Sequence, residues 1–210
     1  PACRTSHSNA VHNGYIYVIG GYDGQRRNSV YYAAIGLDGM VGPWQTTSSF
    51  SGPRNGHTSV VGNGHLYVIG GWDGSTYFND VQSARINADG TLQPFQPAAA
   101  LPDASVDHTS VVYGDYLYVV GGSKTGSNSN TVLFAAIRPD GTLGSFASST
   151  VFATARVGPA SVVVAGYLYV IGGHPSYLAD VQFAPIRPDG EVGKVWTTTT
   201  KLPTPLQQMG

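Results

Sequence analysis

Cysteine is almost missing from this chain: Cys3 stands alone among 210 residues, so no intrachain disulfide is available and packing must hold the fold. A lone thiol near a chain end, with no low-pKa surroundings, reads as incidental rather than nucleophilic. Charge is scarce as well. Asp, Glu, Lys and Arg make up 11% of the residues against a usual quarter or so, and the formal net charge is -1. With no Lys/Arg cluster there is no footprint for a phosphate backbone, which argues against nucleic-acid binding and against electrostatic attachment to a membrane. The longest apolar run, around Ala160 to Gly172, is broken by Ser161, Gly166 and two tyrosines and is too short to span a bilayer, so no membrane insertion is expected. No segment shows a sustained helical period with caps, so helix content should be close to nil. There is no Gly-x-Ser-x-Gly nucleophile elbow and no Walker loop. No signal peptide opens the chain, which starts at Pro1 rather than Met, as expected where a leader or tag has been removed.

What is present is a repetition. Tyr15-Ile-Tyr-Val-Ile-Gly-Gly21 returns as His65-Leu-Tyr-Val-Ile-Gly-Gly71, Tyr116-Leu-Tyr-Val-Val-Gly-Gly122 and Tyr167-Leu-Tyr-Val-Ile-Gly-Gly173, in steps of 50, 51 and 51 residues. That is the spacing of blade-sized units set side by side. Hydrophobic residues are 41% of the chain and fall in regular runs, enough to bury a core, so disorder is a poor reading.

Each unit reads as four strands. Thr58-Ser-Val-Val61 passes through Gly62-Asn-Gly64 into Leu66-Tyr-Val-Ile69, two strands joined by an Asn-Gly hairpin signal, and Asn13-Gly14 and Gly114-Asp115 mark the same turn in the first and third units. The glycine pair ends the second strand, where a missing Cβ permits positive φ and close backbone approach. Third strands begin at Val30, Val81, Val132 and Val181 and stop at Asp38-Gly39, Asp89-Gly90, Asp140-Gly141 and Asp189-Gly190, tight-turn pairs that lead to a fourth strand carrying Trp44, Phe95, Phe146 or Trp196. Four antiparallel strands in about 50 residues are the pattern of a β-propeller blade, which must be covered on both sides by its neighbours.

The sequence resembles the kelch repeat family. The resemblance rests on the glycine doublet after a Tyr-containing strand, the downstream aromatic (Tyr31 or Tyr32, Phe134, Phe183), the aromatic near the fourth strand, and Arg4 with His7 and Arg54 with His57 at the start of a unit. The third unit departs with Ser105 in place of arginine, and the fourth with Pro159 in place of histidine. The resemblance implies an all-β, kelch-type propeller of four four-stranded antiparallel blades. They form a single domain over 1–210, with units at about 4–53, 54–104, 105–155 and 156–205. No strand is left over at either end to complete a blade, and Leu202 to Gly210 runs on as a linker toward a fifth unit. The chain is therefore a fragment of a longer ring, half of a ring closed by a second copy, or a small ring of its own. Apolar end faces favour self-association or a longer parent over an isolated monomer.

In kelch-like proteins the face carrying the loop after strand two and the lead-in to strand one commonly holds the ligand. That resemblance points to Tyr22, Asp23, Arg26, Arg27, Trp72, Asp73, Tyr77 and Phe78, with Lys124, Asn128, His174 and Tyr177, and with Arg4, Arg54, Asn55, Asp103, Asp107 and Arg156 from the lead-ins. Trp72 and Tyr77 lead the set, because aromatic rings amid Asp, Asn and Arg suit a protein hot spot and equally suit sugar faces. The bland alternative for any one of these loop residues is a solvated connection. His7, His57 and His108, one per blade at a fixed position, read as scaffold rather than a three-histidine metal site, and the Asp-Gly pairs read as turns rather than calcium loops. Some kelch-like propellers are enzymes. A copper radical oxidase would need a cysteine-tyrosine cofactor, for which only Cys3 is on offer. No catalytic residue, metal or cofactor is assigned. The leading expectation is a non-catalytic module that recognises a protein or glycan partner. Behind it stand a carbohydrate enzyme of mutarotase or lyase type and an architectural repeat of a larger surface protein. Low charge and abundant Ser, Thr and Tyr suggest an exported or surface-displayed microbial protein.

Overall fold

A computed structural model describes residues 3–205, so the linker residues 206–210 lie outside the described residues. Each unit becomes one antiparallel sheet with its strands side by side in chain order. The first sheet holds β1 (Ser8–His12), β2 (Tyr15–Ile19), β3 (Val30–Ala34) and β4 (Gln45–Thr47). The second holds β5 (Thr58–Gly62), β6 (His65–Ile69), β7 (Val81–Arg85) and β8 (Gln96–Pro97). The third holds β9 (Thr109–Tyr113), β10 (Tyr116–Val120), β13 (Val132–Ala136) and β14 (Ala147–Ser148), with a small ribbon of β11 (Ser123–Lys124) and β12 (Ser127–Asn128) in its loop. The fourth holds β15 (Ala160–Val164), β16 (Tyr167–Ile171), β17 (Val181–Pro185) and β18 (Thr197–Thr199). The described residues contain no helix. All four third strands start at the valines expected, whereas Trp44, Phe95, Phe146 and Trp196 each sit one residue ahead of their fourth strand instead of inside it.

The first hairpins explain their own sequences. Asn13 and Gly14 (φ 46 and 78°), like Asn63 and Gly64, both lie in the left-handed region, the requirement of a type I′ turn that Asn-Gly meets at least cost. In the glycine doublet, a Cβ on Gly21, Gly71 or Gly122 would lie 2.7–2.8 Å from the Cβ of His7, His57 or His108. The doublet and the histidine are thus one packing unit: the absent side chain is what lets the lead-in segment close on the end of strand two.

Blades meet at three seams. β1 packs beside β5, β5 beside β9 and β9 beside β15, so the first strands line the inner edge; no comparable packing joins β15 back to β1 among the described residues. Alternation sends Leu66 and Val68 toward the first blade, with Tyr17, Ile19, Val30 and Phe50. It sends Tyr67 and Ile69 toward the third, with Leu117, Val119 and Leu133. The third seam repeats this with Tyr118, Val120, Phe152, Leu168 and Val170. Each such side chain taken fully out of water is worth about 1.5–3 kcal/mol, so three seams of this kind supply most of the stability.

Polar bonds repeat along the seams in register with this packing. The Tyr17 hydroxyl donates to the Gly90 carbonyl of the next blade (2.8 Å), Tyr67 to Gly141 (2.7 Å) and Tyr118 to Gly190 (2.8 Å). Burial raises the Tyr17 and Tyr67 hydroxyls to about 12, so they remain donors at neutral pH. At the inner edge, Ser8 bonds His57 Nε2 and Ser59, Thr58 bonds His108 Nε2 and Ser110, and Thr109 bonds Ser161. His57 and His108 therefore hold one blade to the next through Nε2, while their buried Nδ1 atoms have no hydrogen-bond partner among the described residues. Burial, with the Arg54 charge nearby, lowers His57 to about 3, and burial lowers His108 to about 4, so both rings stay neutral.

The two end faces carry the same residues without a neighbouring sheet among the described residues. Tyr169, the fourth tyrosine of the series, is only partly buried, and Tyr167, Val162 and Val164 are 40, 41 and 55% exposed. On the first blade, Ile16 and Val18 are half-buried, while Leu66, Val68, Leu117, Val119, Leu168 and Val170 at the same positions are buried. Gly90, Gly141 and Gly190 lie against Tyr15, His65 and Tyr116, but nothing approaches Gly39.

Candidate functional site

Antiparallel order places every loop after strand two at the same end as the lead-in to strand one. Backbone bridges fix them together: Thr5 with Tyr22, Asn55 with Trp72, Val106 with Ser123 and Val157 with His174. The first two loops fold into tight hairpins through bridges between Tyr22 and Arg26 and between Trp72 and Tyr77. A further bridge, Arg27 with Arg54, ties the first loop to the second blade.

This arrangement gathers Tyr22, Arg26, Asn55, Trp72 and Tyr77 from two blades into one patch. The Arg26 guanidinium lies 4.2 Å from the centre of the Trp72 ring and 5.6 Å from that of Tyr22, and its Nε donates to Asn55 Oδ1 at 2.9 Å. Trp72 and Tyr77 stack with centroids 6.0 Å apart and planes 20° from parallel. Tyr22 and Tyr77 remain 40 and 36% exposed. A flat cation braced between rings has lost little freedom by the time a partner arrives, which is the condition for a strong anchor.

Asp73 shapes its own loop. Its Oδ1 accepts from the Ser75 and Thr76 amides and from the Ser75 hydroxyl, and those bonds hold the carboxyl below its ordinary value. Asp23 is occupied in the same way, accepting twice from Arg27 Nε at 2.9 and 3.0 Å. Arg54 and Phe78 lie beneath the patch. Arg54 is 1% exposed, with Phe78 4.0 Å above its guanidinium, and it donates to Gly70 O, Ser51 O and both oxygens of Asp80. Arg4 and Arg156 donate to Gly20 O and Gly172 O in the same manner, and Arg156 pairs with Asp180 at 2.9 Å. Burial alone would raise the Asp180 carboxyl, but its bonds from Arg156 and Gln182 outweigh that and hold it low. These arginines brace blades from inside, and Arg54, which also donates from Nε to Gly52 O, has all five of its donors engaged and none left for an external ligand. The third unit has Ser105 and Thr131 at the two positions, so the pair is lost as a pair.

His174 and Tyr177 form a separate edge-to-face pair on the fourth blade, centroids 5.9 Å apart, with Tyr177 60% exposed. Lys124 pairs with Asp103 at 3.1 Å on the third. Among the described residues, no group of three His, Cys, Asp or Glu is placed to hold a metal, and no helix is long and apolar enough to cross a membrane.

A family profile described as the KLHDC2/KLHL20/DRC7 Kelch-repeats domain matches residues 6–205. The chain belongs to the kelch-repeat family. Among solved structures, one described as "Structure of YjhT" superposes with a TM-score of 0.78 at 18% identity, covering all of this chain and 68% of that one. At that identity the likeness shows the propeller fold alone. None of the curated proteins compared matches the chain. A kelch propeller of this kind points to a protein-interaction module. Within it, Arg26 is the placement that sequence order conceals, since its ring partners come from its own loop and from the next unit. Only the spacing of the repeat, which sets loop against loop, hinted at it.

Proposed function

We propose that this kelch arc is a non-catalytic module that binds a protein partner through its loop-rich end, centred on Tyr22, Arg26, Trp72 and Tyr77, with Asp73 shaping the second loop and His174 and Tyr177 as a second contact. The observation that carries the reading is Arg26, laid over the Trp72 ring, pinned by Asn55 and flanked by exposed Tyr22, with exposed Tyr77 stacked on Trp72. Arg, Trp and Tyr are the residues in which interface energy concentrates. A glycan is the weaker fit, because one face of Trp72 that a sugar ring would stack on is already covered by Arg26.

The test is a peptide-display selection against the wild-type protein, followed by affinity measurement on Trp72→Ala/Tyr77→Ala and a glycan array run in parallel. Selected peptides should lose at least about 2 kcal/mol of affinity, roughly thirtyfold, with the thermal midpoint unchanged. Peptides that bind the double variant equally well, or an array that returns glycans while the selection returns nothing, would overturn the reading.

We also propose that this 210-residue chain, on its own, associates with a second copy through its end faces. Tyr167 and Tyr169 at one end, and the uncovered Gly39 turn at the other, are the two halves of the contact made at every seam. A solution mass of twice the 22.0 kDa chain mass is expected, and a clean monomer at high concentration defeats the idea.

A further inference from the structure

The seam between the second and third blades departs from the other two in a way that opens a cavity. In three units an aromatic ring two residues into strand three lies over the tyrosine of strand two: Tyr32 over Tyr17 (6.3 Å, 19°), Phe134 over Tyr118 (6.3 Å, 20°) and Phe183 over Tyr169 (5.3 Å, 23°). The second unit has Ser83 there. Strand two begins with Tyr15, Tyr116 and Tyr167, each packed on that ring, but with His65 in the second unit. Where two rings are expected, a cleft of about 370 Å³ stands between the blades, in the size range of small-ligand pockets. Ser83, Ala98, Ala99 and Leu143 line it, and His65, Arg85, Gln96 and Asp140 supply its polar groups. It lies by the Asp140-Gly141 turn, at the opposite end of the blades from the loop patch.

A second departure falls in the same place. At the flanking seams, a hydroxyl from the outer strand bonds the backbone of the facing blade: Thr47 Oγ1 accepts from the Leu92 amide, and Ser149 Oγ accepts from the Val192 amide. In the second unit the corresponding run is Pro97-Ala-Ala-Ala100, without a hydroxyl. The Leu143 amide, equivalent to Leu92 and Val192, consequently has no hydrogen-bond partner among the described residues. A backbone donor facing a gap without an acceptor is costly, and a ligand that accepts from it gains the difference.

We propose that this cleft is a docking site for an aromatic side chain of a partner peptide. The ring occupies the volume that Tyr32 and Phe134 fill in neighbouring units, beside Tyr67 and His65, and a peptide carbonyl accepts from the Leu143 N–H. The site is independent of the loop patch, and either can fail without the other.

The experiment is an NMR titration of the isotopically labelled full chain with N-acetyl-L-phenylalaninamide, with N-acetylglycinamide as the ring-free control. Saturable shifts at the Leu143 and Thr142 amides are expected with the first compound and none with the second. Ser83→Phe, which restores the ring of the other units, should weaken the response at least tenfold. Ala98→Thr, which offers the hydroxyl that Thr47 provides, should do the same and serves if Ser83→Phe does not fold. The proposal is overturned if the Leu143 amide is unmoved at tens of millimolar ligand, if both compounds shift it alike, or if the filled variants respond as the wild type does.

Discussion

The three seams and the two end faces are made of equivalent residues at equivalent repeat positions, and they differ in whether another sheet lies against them. Leu66 and Ile16 occupy the same place in their strands, yet Leu66 is fully buried and Ile16 half-exposed. Tyr118 donates across a seam to Gly190, whereas Tyr169 on the end face has no such acceptor among the described residues. Burial in this fold is a property conferred by the neighbour. A strand's own alternation decides which residues face sideways; stability arrives with the next blade.

Acid should expose the seams first. His57 and His108 are each held neutral in the folded chain, at about 3 and about 4, and return to an ordinary value of about 6.5 when unfolded. A depressed folded pKa means the unfolded state takes up protons that the folded state refuses. The stabilisation is therefore complete above about pH 6.5 and is lost progressively as pH falls toward the folded values. Each ring contributes a slope of about 1.4 kcal/mol per pH unit, so the two together remove about 4 kcal/mol by pH 5. Urea midpoints measured from pH 7 to 5 should fall accordingly, and His57→Gln with His108→Gln should flatten the curve. An unchanged midpoint over that range would show that water reaches these rings in the folded state.

Paired truncations come next in size. Leu66→Ala should cost about 3–4 kcal/mol, since it removes a filled seam position, while Ile16→Ala should cost about 1 kcal/mol or less under conditions where the chain is monomeric. Equal losses would mean that something covers the first blade's outer face.

The fold was legible because its signals are local and recur. Asn-Gly turns in two units, and the glycine doublet and the Asp-Gly pair in all four, each specify backbone geometry where they stand, and their recurrence fixes where the strands begin. The fourth strands start one residue after their aromatics because Phe95, Phe146 and Trp196 pack into the seams while the following residues carry the ladder. Trp44, 36% exposed, keeps the same place without that packing. The candidate site was legible only in part. That Trp72 and Tyr77 share a loop follows from order, and the burial of Arg54 beside Asp80 could have been suspected from their joint replacement by Ser105 and Thr131. The contact of Arg26 with Trp72 depends on how far two adjacent blades are rotated, which no local signal encodes. The cleft had a signal too. Ser83 is the one break in the aromatic series and His65 the one break in the tyrosines, and an exception to a repeat is informative once the volume that the missing rings would fill is known.

The smallest difference separates seam from end most cleanly. Tyr118→Phe removes one hydroxyl and leaves the ring in place, so it should cost about 1 kcal/mol, the net worth of a buried hydrogen bond, with a further penalty if the Gly190 carbonyl is left dry. Tyr169→Phe removes the same hydroxyl from a partly buried ring with no acceptor opposite, and in the monomer it should cost close to nothing. Dilution turns this into a test of the end faces. If a second copy docks its Gly39 turn on Tyr169, the two substitutions converge at high protein concentration, because the end has become a fourth seam. If their costs stay apart at every concentration, the end face meets no second copy.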